Sequence, residues 1–292
     1  MRRSTRVLAP VSAGLLAALS FGACSSDGDS SSTQEEPPSD EMTTQVVQER
    51  CTTEETGPLR ILIANDDGVI NPAIDVLIDR LEHIEDIDVE ITVVAPADEK
   101  SGSSDTTTPG GTTYTATTTP GGNEAYAVDG YPADSVIVAL EQLGLEPQLV
   151  LSGINPGQNF GPFASISGTI GVGRTAIRRG YPALAVSGPL ELDEAQFDAG
   201  ADFALEWITE NCEALVAGTA QTDTVTSINF PACAPEQWGE LQAVERALEM
   251  PEMPEGMTVF DSTCDLSDPA PANDVIAVTN GYPSITQVPE DI

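Results

Sequence analysis

Leu59-Arg60-Ile61-Leu62-Ile63-Ala64-Asn65-Asp66-Asp67-Gly68 is the stretch on which the fold turns. A short apolar run stops at two adjacent carboxylates and a glycine. The run has the length and content of a buried parallel strand. Carboxylates where such a strand stops are costly without a positive partner. At the carboxyl end of a parallel strand that partner is often a metal ion or a ligand. Taken alone, Asn-Asp-Asp-Gly is more often a turn than a metal site.

Downstream the pattern alternates between strand and helix. Residues 72–84 place Ile74, Leu77, Ile78 and Leu81 at three- and four-residue steps, a helical period. Strands follow at 89–95, 149–151, 183–186 and 224–229. Helices are expected over 131–143, entered through Pro132, over 168–179 and over 194–212. Two copies of Thr-Thr-Thr-Pro-Gly-Gly, at 106–111 and 117–122, sit among Thr/Tyr/Val-rich stretches, as in a β-hairpin excursion. The last part is Pro-rich and irregular, with ordered segments at 275–278 and 284–287. The alternation predicts an α/β domain, a Rossmann-like, mostly parallel sheet flanked by helices.

The first residues read as targeting sequence. Arg2, Arg3 and Arg6 precede an apolar stretch from Val7 to Phe21, and Phe21-Gly22-Ala23-Cys24 resembles a bacterial lipobox. Residues 1–23 are expected to be a lipoprotein-type signal peptide and 24–58 an acidic, Ser-rich disordered tether. Residues 59–292 are expected to form the folded domain. The product is then exported, anchored at the surface through a lipid on Cys24, or secreted. Cleavage removes three arginines and takes the formal charge from −36 to −39. Lys100 is the sole lysine. So acidic a chain argues against nucleic-acid duplexes and anionic membrane surfaces as partners. Besides Cys24 there are Cys51, Cys212, Cys233 and Cys264, an even number that suggests two disulfides. Three pairings are open; Cys212–Cys233 with Cys51–Cys264 is the expected one.

Three strand ends bear on one site. The first carries Asp66 and Asp67, the second runs on to Ser101, and the third to Asn155. Two carboxylates, a hydroxyl and an amide carbonyl are an all-oxygen set that suits Mg²⁺, Mn²⁺ or Ca²⁺ rather than zinc. Ser167-Gly168-Thr169 opens a helix, and is a phosphate cradle or an ordinary N-cap. The glycines at 168, 171 and 173 do not spell a dinucleotide fingerprint. His83 is the only histidine and reads as a surface residue on the first helix. His-based nucleophile activation is therefore excluded.

These blocks resemble the SurE family, the stationary-phase survival nucleotidases. The resemblance runs from about Leu59 to Val288. It is carried by 61–69, by Val93-Val94-Ala95-Pro96 with Ser101-Gly102, by Leu151 to Gly161, by Ser167-Gly168-Thr169, by 182–187 and by Gly281-Tyr282-Pro283-Ser284-Ile285-Thr286. It implies a metal-dependent phosphatase acting on nucleoside 5′- and 3′-monophosphates, and a homodimer or tetramer. By motif match Asp66, Asp67, Ser101 and Asn155 would bind one divalent ion, Mg²⁺ or Mn²⁺. Asn159 and Ser167, Gly168 and Thr169 would face the substrate. In that mechanism Asp66 or Asp67 orients or deprotonates the attacking water, and Ser103, Ser167 and Thr169 hold phosphate oxygens. The chain departs from the family pattern at Ile70, Ala73, 97–100, Tyr131, Ser135, Arg174 and Thr175. The altered 97–100 loop and the heavy negative charge motivate one alternative, a non-catalytic nucleotide- or metal-binding lipoprotein; another is a broader phosphomonoesterase or exopolyphosphatase.

Overall fold

The computed structural model describes residues 56–253 and 255–292. The signal peptide, nearly all of the tether, Cys24 and Cys51 lie outside the described residues.

The strands are β1 (Leu59–Ala64), β2 (Val89–Pro96), β3 (Tyr114–Thr118), β4 (Glu124–Val128), β5 (Leu149–Pro156), β6 (Ala183–Gly188), β7 (Thr224–Asn229), β8 (Gln242–Ala243) and β9 (Ser284–Pro289). They form one sheet in the order β3-β4-β2-β1-β5-β6-β7-β9-β8. The six central strands are parallel, while β3 and β9 run antiparallel to β4 and β7. The helices are α1 (Ala73–Glu82), α2 (Pro132–Ile137), α3 (Gly168–Ile177), α4 (Glu194–Val216) and α5 (Asp274–Thr279).

Strand alternation divides the core in two. Ile61 and Ile63 of β1 pack with Ile74, Leu77 and Leu81 of α1 and Ala204 and Ile208 of α4. Leu62 and Ala64 point the other way, to Val136 of α2 and Val172 and Ala176 of α3. Both faces are covered, which is why β1 is apolar from Ile61 to Ala64 instead of alternating with polar residues. Each fully buried Leu or Ile contributes roughly 1.5–3 kcal/mol of transfer free energy.

Chain order sets the site. From β1 the strands step outward through β2 to β4; the chain then returns to lay β5 on the opposite side of β1. The reversal leaves a crevice between the carboxyl ends of β1 and β5, the place where open α/β sheets bind ligands.

Three features refine or correct the sequence expectation. The expected hairpin is β3–β4, and β4 also pairs in parallel with β2, so that it extends the sheet. Its turn is held by Asp75, which accepts from Gly121 N at 2.7 Å and Asn123 Nδ2 at 2.9 Å. Residues 275–278 belong to a helix, capped by Asn273. The expected disulfides are corrected: Cys233 bonds Cys264, across 31 residues with Cα atoms 6.3 Å apart. Two hydrogen bonds explain it. Thr263 N donates to Thr279 O at 2.7 Å and Ala232 N to Ser262 Oγ at 3.0 Å, so Cys264 lies against the exit of β7. Cys212 is buried on α4 and is also disulfide-bonded, but Cys233 is not its partner.

Candidate functional site

The turn after β1 is closed by Asn65. Its Nδ2 donates to Gly68 O at 3.0 Å, and its Oδ1 accepts from Gly68 N at 3.1 Å. This projects Asp66 and Asp67 from the strand end. Asp66 is buried, and the start of α3 lies against it. A Cβ on Gly168 would stand 2.6 Å from Asp66 Cβ, so only glycine allows that approach. Thr169 Oγ1 donates to Asp66 Oδ1 at 2.7 Å, and Asn159 Nδ2 donates to Thr169 Oγ1 at 3.1 Å and to Ser187 Oγ at 3.0 Å. Asn159 N in turn donates to Asn229 Oδ1 at 2.7 Å. A buried chain of polar groups thus runs from Asp66 across β5, β6 and β7.

Burial pushes the Asp66 carboxyl above its ordinary value, against the lowering effect of the Thr169 hydroxyl. Burial, then Asp66 and Glu99, push Asp67 up to about 8. Asp67 Oδ2 is buried with no hydrogen-bond partner. Such a pair is short of positive charge. On β5 the register shifts between Ser152 and Asn155, an irregularity of the kind that re-aims a side chain. Asn155 Nδ2 is committed to Gly157 O at 2.5 Å, which leaves the carbonyl oxygen for a ligand. Ser101 N donates to Glu99 Oε1 at 2.6 Å, and its side chain is exposed at the cleft.

These groups fit a hard divalent cation. Two carboxylates that burial and mutual repulsion make hard to ionise, one with an orphaned oxygen, sit beside an amide carbonyl and a hydroxyl. Among the described residues no group of three or more His, Cys, Asp and Glu could hold a metal. A cation here therefore depends on the neutral oxygens of Ser101 and Asn155 as well as on the two acids.

A cleft of about 260 Å³ opens over the site, lined by Asp66, Ser101, Asn155, Asn159 and Ser167. Its outer wall includes Phe163, Ile166, Leu190 and Phe260. Ser103 Oγ, in the loop after β2, is buried without a partner. That loop is fastened to α3: Ser104 N donates to Ile166 O at 3.0 Å, and a Cβ on Gly171 would stand 2.0 Å from Ser104 O. Asp105 in the same loop pairs with Arg174 at 3.1 Å and with Arg178. Desolvation raises the Asp105 carboxyl, but the Arg178 hydrogen bond and the Arg174 charge outweigh it and hold it below the ordinary value.

The structure thus brings Asp66, Ser101, Asn155, Asn159 and Ser167 to one cleft. Asp67 and Gly168 adjoin Asp66, and Ser103 lies one residue before the loop's contact with Ile166. Thr169 is placed differently from the phosphate role read for it. Its hydroxyl is fully buried and spent between Asp66 and Asn159, so it holds the acid. Ser167 Oγ accepts from Ile170 N at 3.0 Å, a true N-cap, while Ser167 also lines the cleft. Ser187 and Asn229 were missed, although a polar residue at the end of an apolar strand was the available signal for both. His83 is exposed, as read.

An open, mostly parallel sheet with an acidic oxygen site at its switch point defines a class of α/β proteins that bind ligands at strand ends. A sequence model described as Survival protein SurE matches residues 61–251. The chain belongs to the SurE family. It is 31% identical over 247 residues to a 5′-nucleotidase SurE of Alkalilimnicola ehrlichii, covering 80% of this chain and 90% of the relative. It is 36% identical over 193 residues to a 5′-nucleotidase SurE of Dehalococcoides mccartyi, covering 65% and 70%. The crystal structure of the SurE protein from Aquifex aeolicus aligns with a TM-score of 0.61 over 80% of this chain and 94% of that one, at 23% identity, a likeness of fold.

Proposed function

We propose that this chain hydrolyses nucleoside 5′- and 3′-monophosphates to nucleoside and phosphate, using one divalent cation, Mg²⁺ or Mn²⁺. The observation that carries the proposal is the pair Asp66 and Asp67. Both are raised by burial, Asp67 has an unmatched oxygen, and Asp66 lines a cleft that also presents hydroxyls. The names of the relatives supply the substrate class.

Asp66, Asp67, Ser101 and Asn155 would hold the cation, whose chemistry is to neutralise phosphate oxygens and acidify the attacking water. Thr169 fixes Asp66 in orientation. Asp67 Oδ2, unencumbered, accepts the proton from that water. Ser103 Oγ and Ser167 at the start of α3 engage non-bridging phosphate oxygens, where the helix start also favours negative charge. Positioning and charge stabilisation are the main demands of phosphoryl transfer. With the chain so acidic, the cation also favours the approach of an anionic substrate.

Export through residues 1–23, with Cys24 as anchor or with full release, belongs to the same proposal. The Cys233–Cys264 bridge supports it, since structural disulfides persist in oxidising compartments. A homodimer or tetramer is the expected assembly, and gel filtration with light scattering measures it.

Phosphate release should be screened over nucleoside monophosphates, sugar phosphates and polyphosphate, each with Mg²⁺, Mn²⁺ and a chelator. Release from nucleoside monophosphates that needs the cation is the expected result. Release from polyphosphate alone, or nucleotide binding without turnover, would overturn the assignment.

A further inference from the structure

The outer wall of the cleft is unused by the chemistry above. Phe163, on the helical turn Gly161–Ser165, and Phe260 are stacked, with ring centroids 5.5 Å apart and planes 8° apart. Both rings are only half-buried, and both line the cleft whose other side carries Asp66 and Asn155. Ile166 and Leu190 extend the wall and are 55% and 57% exposed, a large apolar area to leave in water beside a polar site. Beneath the wall, Phe163 rests on a small separate core of Phe160, Ala247, Val275 and Val278.

Gln158, between the metal-site Asn155 and the substrate-facing Asn159, also lines the cleft. It is 3% exposed, and neither its Nε2 nor its Oε1 has a hydrogen-bond partner. An amide buried with both ends unmet is costly, and a ligand edge that offers a donor and an acceptor would relieve it.

Phe260 does not come from the part of the chain matched to the family, which ends at residue 251. It is delivered by the segment held through Thr263 N to Thr279 O and bridged by Cys264 to Cys233. The aromatic wall therefore joins a residue of the turn after β5 to one of the late segment.

We propose that Phe163 and Phe260 form a nucleobase seat, with the base stacked on the aromatic wall and Gln158 reading its polar edge. This rests on the nucleotidase reading and narrows it: the preferred substrates carry a planar base as well as a phosphate. Stacking of a base on an aromatic side chain is sequence-tolerant, so the wall gives affinity for any base. The amide supplies the discrimination, because adenine and hypoxanthine present donor and acceptor in opposite order along the same edge, and an amide held in one orientation pairs with one of them.

The test compares adenosine 5′-monophosphate, inosine 5′-monophosphate and ribose 5-phosphate, the last lacking a base. Phosphate release and calorimetric binding, the latter in chelator without divalent cation, are measured for the wild type, Phe260→Ala and Gln158→Met. The wild type should prefer adenosine 5′-monophosphate to ribose 5-phosphate in both assays. Phe260→Ala should reduce that preference about tenfold or more, mainly through KM and Kd. Gln158→Met should change the ratio between the two nucleotides about fivefold to tenfold and leave the helical circular dichroism as in wild type. Preferences unchanged in both variants would overturn the base seat. Absence of phosphate release from all three compounds would instead defeat the nucleotidase reading, and the binding ratios would still decide the seat.

Discussion

The two ends of the cleft are built by different means. The inner end is made where β1, β5 and α3 converge, from residues whose neighbours are sheet and helix. Asp66 is held by Thr169, Thr169 by Asn159, and Asn159 by Ser187 and Asn229. The outer end is made from loop residues, and its Phe260 hangs on a disulfide and a few main-chain bonds. Rigid placement belongs with the bond-breaking chemistry, where a small misplacement costs rate. The outer end needs only surface and an amide, so an irregular segment suffices.

Breaking the inner end has the largest expected effect. Asp66→Asn should lower kcat/KM for nucleoside monophosphates about 10³-fold or more in a phosphate-release assay, by removing the central charge of the site. Thr169→Val leaves the acid in place but frees its orientation. It should cut kcat about 10- to 100-fold with little change in KM. A fall confined to KM would mean that Thr169 touches substrate after all.

At the outer end, replacing Cys233 and Cys264 together by Ser should lower unfolding stability by about 2–4 kcal/mol in denaturant titrations. It should also weaken the preference for nucleotides over ribose 5-phosphate. If stability drops but the preference is untouched, the bridge does not position Phe260.

The smallest effect concerns the loop that joins the two ends. Asp105 has a folded-state pKa below its ordinary value, so it stabilises the fold above about pH 3.9. That contribution is lost as pH falls through the depressed folded value. Asp105→Asn should therefore cost about 1 kcal/mol near neutral pH, less in high salt, and nothing once the acid is protonated in the wild type. Thermal melts of both proteins across pH measure it. A difference that grows toward low pH would contradict the sign.

Much of the inner end was legible in the sequence. An apolar run stopped at Asp66, a second strand ran on to Ser101, and a third to Asn155; parallel strands put such ends side by side. The Ser167 cap was legible too, though the same residues could equally have been a phosphate cradle. What decides Thr169 is the approach of α3 to β1, a tertiary contact that Gly168 permits and no local pattern displays. The outer end was hidden for a different reason. Pairing Cys264 with Cys233, and Phe260 with Phe163, depends on the path of residues 244–273, which have neither helical nor strand periodicity to read. The hairpin β3–β4 was seen as strands, but its parallel pairing to β2 is a property of the sheet and not of the Thr-rich repeat.

The central claim is that Asp66 and Asp67, with Ser101 and Asn155, hold one cation on which turnover depends. It is tested most directly by titrating Mn²⁺ into chelator-stripped protein while following phosphate release from adenosine 5′-monophosphate. The account predicts no release at the start, and activity that saturates at one bound ion per chain. Full activity maintained in excess chelator, or Mn²⁺ binding and turnover undiminished in Asp66→Asn, would contradict it.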